Sequence, residues 1–247
     1  MLLLAIEQSS DTGSVAILND DNILGEREWD GLVLRSCGLF ACLKDLLAAV
    51  ALNLKDISHY VVDVGPGSYS GLRSSFAAVR AFTLPEKHPV YALTSAETLA
   101  FEIMQEFSAN QVQVVGDARR QQLWSCIYKK YKKNGNMPVA QSKIQLVPEN
   151  DFCPASGSVI VSPDWKRLHA RLKSVSTGNT FLVEETRVPK AGYLGKLAYQ
   201  KKQLNIPGEP LRPIYLHAAV KEKESVASRQ RSEVRGQNEF RTVNCEP

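Results

Sequence analysis

Val61-Val62-Asp63-Val64-Gly65-Pro66-Gly67-Ser68-Tyr69-Ser70-Gly71-Leu72-Arg73 is an apolar run that stops at a glycine-rich turn and restarts with helical spacing. That pattern predicts a strand, a tight loop and the start of a helix. The loop can present successive N–H groups beside a helix N-terminus, a place that suits an anion or a close-packed partner. Its glycines match neither G-x-G-x-x-G nor G-x-x-x-x-G-K-[ST], and no lysine follows, so a Rossmann or P-loop site is not read here. Gly65, Gly67, Ser68 and Gly71 remain candidate anion-binding residues, against the alternative of a loop whose glycines only permit tight packing.

Working outward, residues 2–6 form a short apolar run, followed by a polar turn and a second apolar run at 15–18. With a third segment at 23–29 they predict three antiparallel strands, the first central because it is apolar on both faces. The Ser/Thr-rich tip after Glu7, including Ser9, is a second candidate anion site. Residues 32–52 have helical spacing, and Phe40 and Ala51 fall outside a single narrow stripe, so more of this helix is apolar than one sheet face covers. Either it is sandwiched inside its own domain or it also packs on another chain.

After the glycine loop, Leu72, Phe76 and Val79 sit on a helix whose other side carries Arg73 and Arg80. A strand at 90–93 and a helix from Thr94 or Ser95 to about 107 complete a βαβ pattern and hence a parallel sheet. A second α/β unit begins near 111 with strands at 111–117 and 123–128, then short strands at 144–147 and 159–161, a helix at 193–203 and a turn-rich stretch leading into 214–216. Residues 221–247 lose the pattern and predict a mobile tail. The hairpin tip at 129–136, with four lysines around Tyr131, reads as a solvated turn rather than a phosphate contact.

The chain has 247 residues, 44% hydrophobic and 23% charged, with a net charge of +4, which is ordinary globular composition. That charge permits a nucleic-acid partner without arguing for one. Five scattered cysteines without C-x-x-C spacing suggest neither a disulfide framework nor a zinc site and fit a reducing cytoplasm. Residues 1–6 lack a basic region and meet Glu7 too early for a signal peptide, and no run approaches a membrane span, so a soluble chain that is not exported is expected. The four histidines form no H-x-x-x-H pair, and no base accompanies the serines of the loop. Glu7, Asp63 and Asp117 stand at strand ends, where such groups hold a metal or orient water in a nucleotide-splitting enzyme, or else make turn-forming hydrogen bonds. Without a lysine or metal motif, the turn-forming role is expected.

Leu4-Ala5-Ile6-Glu7-Gln8-Ser9-Ser10, Val64 to Arg73, Leu93-Thr94-Ser95-Ala96-Glu97-Thr98-Leu99-Ala100 and Asp117-Ala118-Arg119-Arg120, in that order, closely resemble the TsaB (YeaZ-like) family. Pro213-Ile214-Tyr215-Leu216 looks like the family's last strand, so the resemblance spans roughly residues 2–220. Three positions depart from it: Glu7 stands where the family usually has Asp, Arg35-Ser36-Cys37 replaces His-Ser-Glu, and Ala41 replaces a helix proline.

The resemblance implies an α/β, actin-like or Hsp70-like (ASKHA) fold of two related lobes, each a mixed sheet with helices, over residues 1–108 and 109–220, with the tail at 221–247. It implies a noncatalytic scaffold needed for threonylcarbamoyl modification of the adenosine beside the tRNA anticodon. The implied partners are a TsaD-like catalytic subunit and a TsaE-like ATPase, with tRNA reached indirectly; no cofactor is required by this chain, and ATP belongs to the complex. Carried onto this sequence, the interface falls on helix 32–52 and on the helix opened at Gly71, with Leu39, Leu43, Leu46, Leu72, Arg73, Phe76, Ala77 and Arg80 as contacts in a four-helix seam. Homodimerisation through the same helices is compatible with this, and no membrane, catalytic or metal-binding residue is implied. The rival is a nucleotide-binding or hydrolysing enzyme, or a protease-like relic, of the actin-like superfamily, using Glu7 or Asp63.

Overall fold

The structure is a computed structural model that describes residues 1–34, 37–131 and 136–217. The tail at 221–247, Arg35 and Ser36, and Lys132 and Lys133 of the hairpin tip lie outside the described residues. A five-stranded sheet is built from β1 (Leu2–Glu7), β2 (Thr12–Asn19), β3 (Asn22–Asp30), β4 (His59–Asp63) and β5 (Val90–Leu93), in the order β3-β2-β1-β4-β5. β1 is central as expected, antiparallel to β2 and parallel to β4. Its alternation divides two cores. Leu4 and Ile6 join one with Val15, Ile17 and Val62, while Leu3 and Ala5 join the other with Leu18 and Val61.

The first core is covered by α2 (Cys37–Ala49), which follows the short α1 (Gly31–Leu34), and by α3 (Tyr69–Thr83). The second face is covered by α6 (Ala191–Gln203), with Phe101 of α4 (Ser95–Glu106) joining its core. Thr94 caps α4, accepting from the Glu97 N–H at 3.0 Å. Ten of the twelve residues of α4 are buried, because Ala96, Leu99, Ala100, Ile103 and Met104 also pack on the second sheet, against Val112, Val114 and Trp124.

That second sheet comprises β6 (Gln111–Arg119), β7 (Gln122–Tyr131), β8 (Met137–Ala140), β10 (Val159–Val161) and β11 (Phe181–Leu182), in the order β11-β10-β6-β7-β8, with β9 (Gln145–Pro148) paired to β7. Its outer face carries α5 (Trp165–Val175), whose Leu168 and Leu172 meet Val115, Leu123 and Ile160. The two sheets draw their strands from either side of residue 109. Helix α6 falls within 109–220 in sequence but lies on the first sheet, against β1 and β2.

The last strand expected at 214–216 is not formed. Pro213 has no N–H to give, and among the described residues the segment makes one backbone bond, from the Ile214 N–H to the Val64 carbonyl at 2.7 Å. Strands β8 and β11 and helix α5 were not read from the sequence. Helix α5 has a helical run of apolar residues at Trp165, Leu168, Leu172 and Val175, but they are few among its Lys and Arg residues.

Candidate functional site

Strands β1 and β4 are parallel neighbours with Ile6 opposite Val62. The next residue of each, Glu7 and Asp63, therefore sits side by side at the strand ends, and both are fully buried. Glu7 Oε1 accepts from the Ser9 N–H at 2.6 Å and from the Ser9 hydroxyl, and Asp63 Oδ1 accepts from the Gly65 N–H at 2.5 Å. Asp117 does the same for the Arg119 N–H at 2.6 Å. Each strand-end carboxylate thus bonds the N–H two residues on, the turn-forming role expected of it.

Glu7 Oε2 and Asp63 Oδ2 have no other donor among the described residues. Two carboxylates cannot hydrogen-bond each other, but a carboxylic acid and a carboxylate can. Burial and then the negative charge of Asp63 push the Glu7 carboxyl well above its usual range, and burial raises Asp63 to about 6. Glu7 therefore holds the proton and donates it to Asp63, so that one charge rather than two is buried.

Because both groups are raised, the folded state binds protons that the unfolded chain has released. The stability they contribute is present below the ordinary carboxylate range and is lost as pH rises through about 6 and above. Glu7→Gln supplies a permanent amide donor to Asp63. It should flatten the fall in melting temperature between pH 5.5 and 8 and leave the variant more stable than wild type at pH 8, by on the order of 2 kcal/mol. Parallel wild-type and variant curves in scanning calorimetry would contradict the shared proton.

The two candidate anion sites are one structure, because the loops that carry them are bonded together. The Ser68 N–H donates to the Ser9 carbonyl at 2.7 Å, Gly71 N–H to Ser68 Oγ at 3.2 Å, and Gln8 Nε2 to Ser75 Oγ at 2.8 Å. On the other side, Ser95 donates its N–H to Gly65 O at 3.0 Å and its hydroxyl to Pro66 O at 2.8 Å. A Cβ at Gly67 would stand 2.1 Å from the Ser9 carbonyl oxygen, and one at Gly71 would stand 2.0 Å from that of Gln8. Only hydrogen fits at either place. Of the N–H groups that suited an anion, those of Gly65, Ser68 and Gly71 are engaged within the chain. The junction fixes the start of α3 against the end of β1.

The residues expected at a partner interface divide by burial. Leu39, Leu43, Leu46, Leu72 and Phe76 are buried; Leu39, Leu43, Leu46 and Phe76 pack on the first sheet with Leu4, Ile6 and Val62. These five side chains are turned inward and belong to the core of the chain itself, so the outward surface of α2 and α3 is made by other residues. Arg73, Ala77 and Arg80 are exposed. Arg73 donates to the Tyr69 hydroxyl at 2.5 Å and lies over its ring. The outward surface of α2 and α3 also carries Ala41, Ala48 and Ala81, with Phe40 at 54% exposure packed edge-on against Phe82, and Leu84 just beyond α3 at 78%. Phe40 stands next to the buried stripe and is the large apolar side chain that α2 leaves exposed.

A family model described as TsaD, tRNA N6-adenosine threonylcarbamoyltransferase, matches residues 38–147. The chain is similar to the tRNA threonylcarbamoyladenosine biosynthesis protein TsaB of Bacillus subtilis, 27% identical over 190 residues, which cover 77% of this chain and 74% of that one. To the Escherichia coli protein of the same description it is 25% identical over 154 residues, 60% of this chain and 64% of that one. Its fold matches the solved structure of YeaZ from Pseudomonas aeruginosa with a TM-score of 0.73, over 87% of this chain and 99% of that one, at 21% identity. The chain is thus similar over most of its length to proteins described as TsaB or YeaZ. Its fold matches the actin-like, Hsp70-like (ASKHA) arrangement of two mixed sheets with helices. In this chain the glycine-rich block is the junction that aims α3, and the strand-end acid of β1 is Glu7. No described helix is long and apolar enough to cross a membrane.

Proposed function

We propose that this chain is a noncatalytic scaffold subunit needed for threonylcarbamoyl modification of the adenosine beside the tRNA anticodon, and that it acts by binding a TsaD-like transferase through the outward faces of α2 and α3. The relatives that carry this description support the pathway. The seam itself carries the docking role: small side chains at Ala41, Ala48, Ala77 and Ala81 let a partner helix approach closely, and Phe40 and Leu84 offer apolar anchors. A TsaE-like ATPase joins the pair, and ATP is handled by the assembly rather than held by a cofactor site of this chain.

Against the enzyme reading stands the condition of its two best acids. Glu7 and Asp63 are fully buried and burial holds both carboxyls above their usual range, a poor arrangement for orienting water or holding a magnesium ion. The test is nucleoside analysis of tRNA by mass spectrometry after depletion of the chain in its own cells. Loss of the threonylcarbamoyl nucleoside, restored by wild type and by Glu7→Gln alike, is the expected result. Unchanged modification overturns the pathway assignment. Turnover of ATP by the isolated chain, abolished by Glu7→Gln, overturns the scaffold in favour of an enzyme.

A further inference from the structure

Asp117-Ala118-Arg119-Arg120, conspicuous in the sequence, has no part in the helix seam. It ends β6 and enters the two-residue turn to β7. Arg119, Arg120 and Gln121 take successive left-handed backbone conformations, with φ of 63, 54 and 59°, each costing about 1 kcal/mol for a residue with a Cβ. Glycine or asparagine would make such a turn more easily, yet two arginines occupy it. Beneath them Asp117, its side chain 1% exposed, pairs with Arg119 at 3.0 Å and with Arg167 of α5, while its N–H donates to Asp164 Oδ2 at 2.7 Å. The buried carboxylate gathers guanidinium groups from two elements around an open cavity of about 290 Å³ lined by Arg119, Arg120, Gln121, Glu149, Arg167 and Leu168. Arg120 is exposed and forms no ion pair among the described residues.

The surroundings have the same sign. Helix α5 contains no acidic residue; Arg167, Lys166 and Lys173 are exposed on it, and Trp165 lies between His169 and Lys173. Glu149 is the one carboxylate on the rim of the cavity. The sequence is polarised in the same way. Residues 1–108 carry seven Lys and Arg against fourteen Asp and Glu, whereas residues 109–190 carry thirteen against six. A net charge near −7 on the first stretch and +7 on the second is a field that the overall value of +4 conceals.

We infer that the arginine turn and the exposed face of α5 bind the phosphate backbone of RNA. This rests on the proposed function for the identity of the RNA, and it places part of the tRNA contact on this chain itself, on the lobe opposite the transferase seam. Arginine forks match phosphate oxygens in paired contacts, an open cavity admits a backbone phosphate, and the aromatic ring beside the lysines offers a stacking surface.

The test uses fluorescence anisotropy with a labelled, unmodified tRNA transcript, on the isolated chain at low salt and on its complex with the transferase. Arg120→Glu combined with Lys166→Glu changes two exposed side chains and leaves the Asp117 pairs intact. The expected result is binding by the isolated wild-type chain, weakened at least tenfold in the double variant, with the slope of log affinity against log salt reduced by about 2, and with melting temperature and transferase association unchanged. Equal affinity and slope for wild type and variant overturn the inference. Displacement of the tRNA by inorganic pyrophosphate at constant ionic strength also overturns it, assigning the cavity to a small polyphosphate. Failure of transferase association with RNA binding retained counts against the proposed function and leaves this inference standing.

Discussion

Ala77→Glu is expected to weaken association with the TsaD-like transferase about 100-fold, equivalent to about 2.7 kcal/mol, without loss of fold. Ala77 is exposed on α3, so no core contact is disturbed. Arg73 and Arg80 lie four residues before it and three after it, and on the free helix they would pair with the introduced carboxylate and add a few tenths of a kcal/mol. At a closely packed helix seam the same side chain is too large and brings a charge out of water, which is the source of the loss. Leu43→Glu is the contrasting case. At 4% exposure beneath α2 it is expected to unfold the protein, and its effect on binding would carry no information about the seam. Calorimetric melting and titration of the two variants separate these outcomes; full-affinity binding by Ala77→Glu would remove α3 from the interface.

Gly71→Ala is expected to be the more damaging change for stability. The added Cβ would meet the Gln8 carbonyl oxygen at 2.0 Å and the Gln8 Cβ at 3.1 Å. The first of these is backbone at the end of β1 and cannot swing aside. Relief requires α3 to lift from the sheet, which breaks the buried Gln8–Ser75 hydrogen bond of 2.8 Å and the Ser68–Ser9 bond of 2.7 Å. A cost of about 3 kcal/mol or more, or a melting temperature lower by roughly 6–12 °C, follows from overpacking with lost hydrogen bonds. Since the same junction aims α3, transferase binding should fall as well. Gly178→Ala, with nothing within 4 Å of its Cβ, serves as the control and should melt within about 2 °C of wild type. Equal melting of Gly71→Ala and the control would show that the junction is not the rigid element described.

Much of the first lobe was legible because its signals are local. The run at 2–6 without polar alternation announced a central strand, and Thr94 announced the α4 cap. The glycine block marked a strand, loop and helix before any contact was known. Pairings distant in sequence were not legible. Glu7 and Asp63 were each recognised as strand-end acids, but only the parallel register of β1 and β4 makes them a pair sharing a proton. Leu39, Leu43 and Leu46 showed that a helix has an apolar stripe without showing whether a sheet or a partner covers it; all three pack on the sheet. Helix α5 was missed because its inward face is narrow and its remaining positions are basic, a pattern that suits a solvent-facing helix carried on a sheet.

The most direct test of the account is size exclusion with light scattering on the purified wild-type chain mixed with its cognate TsaD-like transferase. A single peak with the mass of a heterocomplex, lost with Ala77→Glu, is the expected result. Two separate peaks at the component masses, persisting when ATP and the TsaE-like ATPase are added, would contradict the scaffold role.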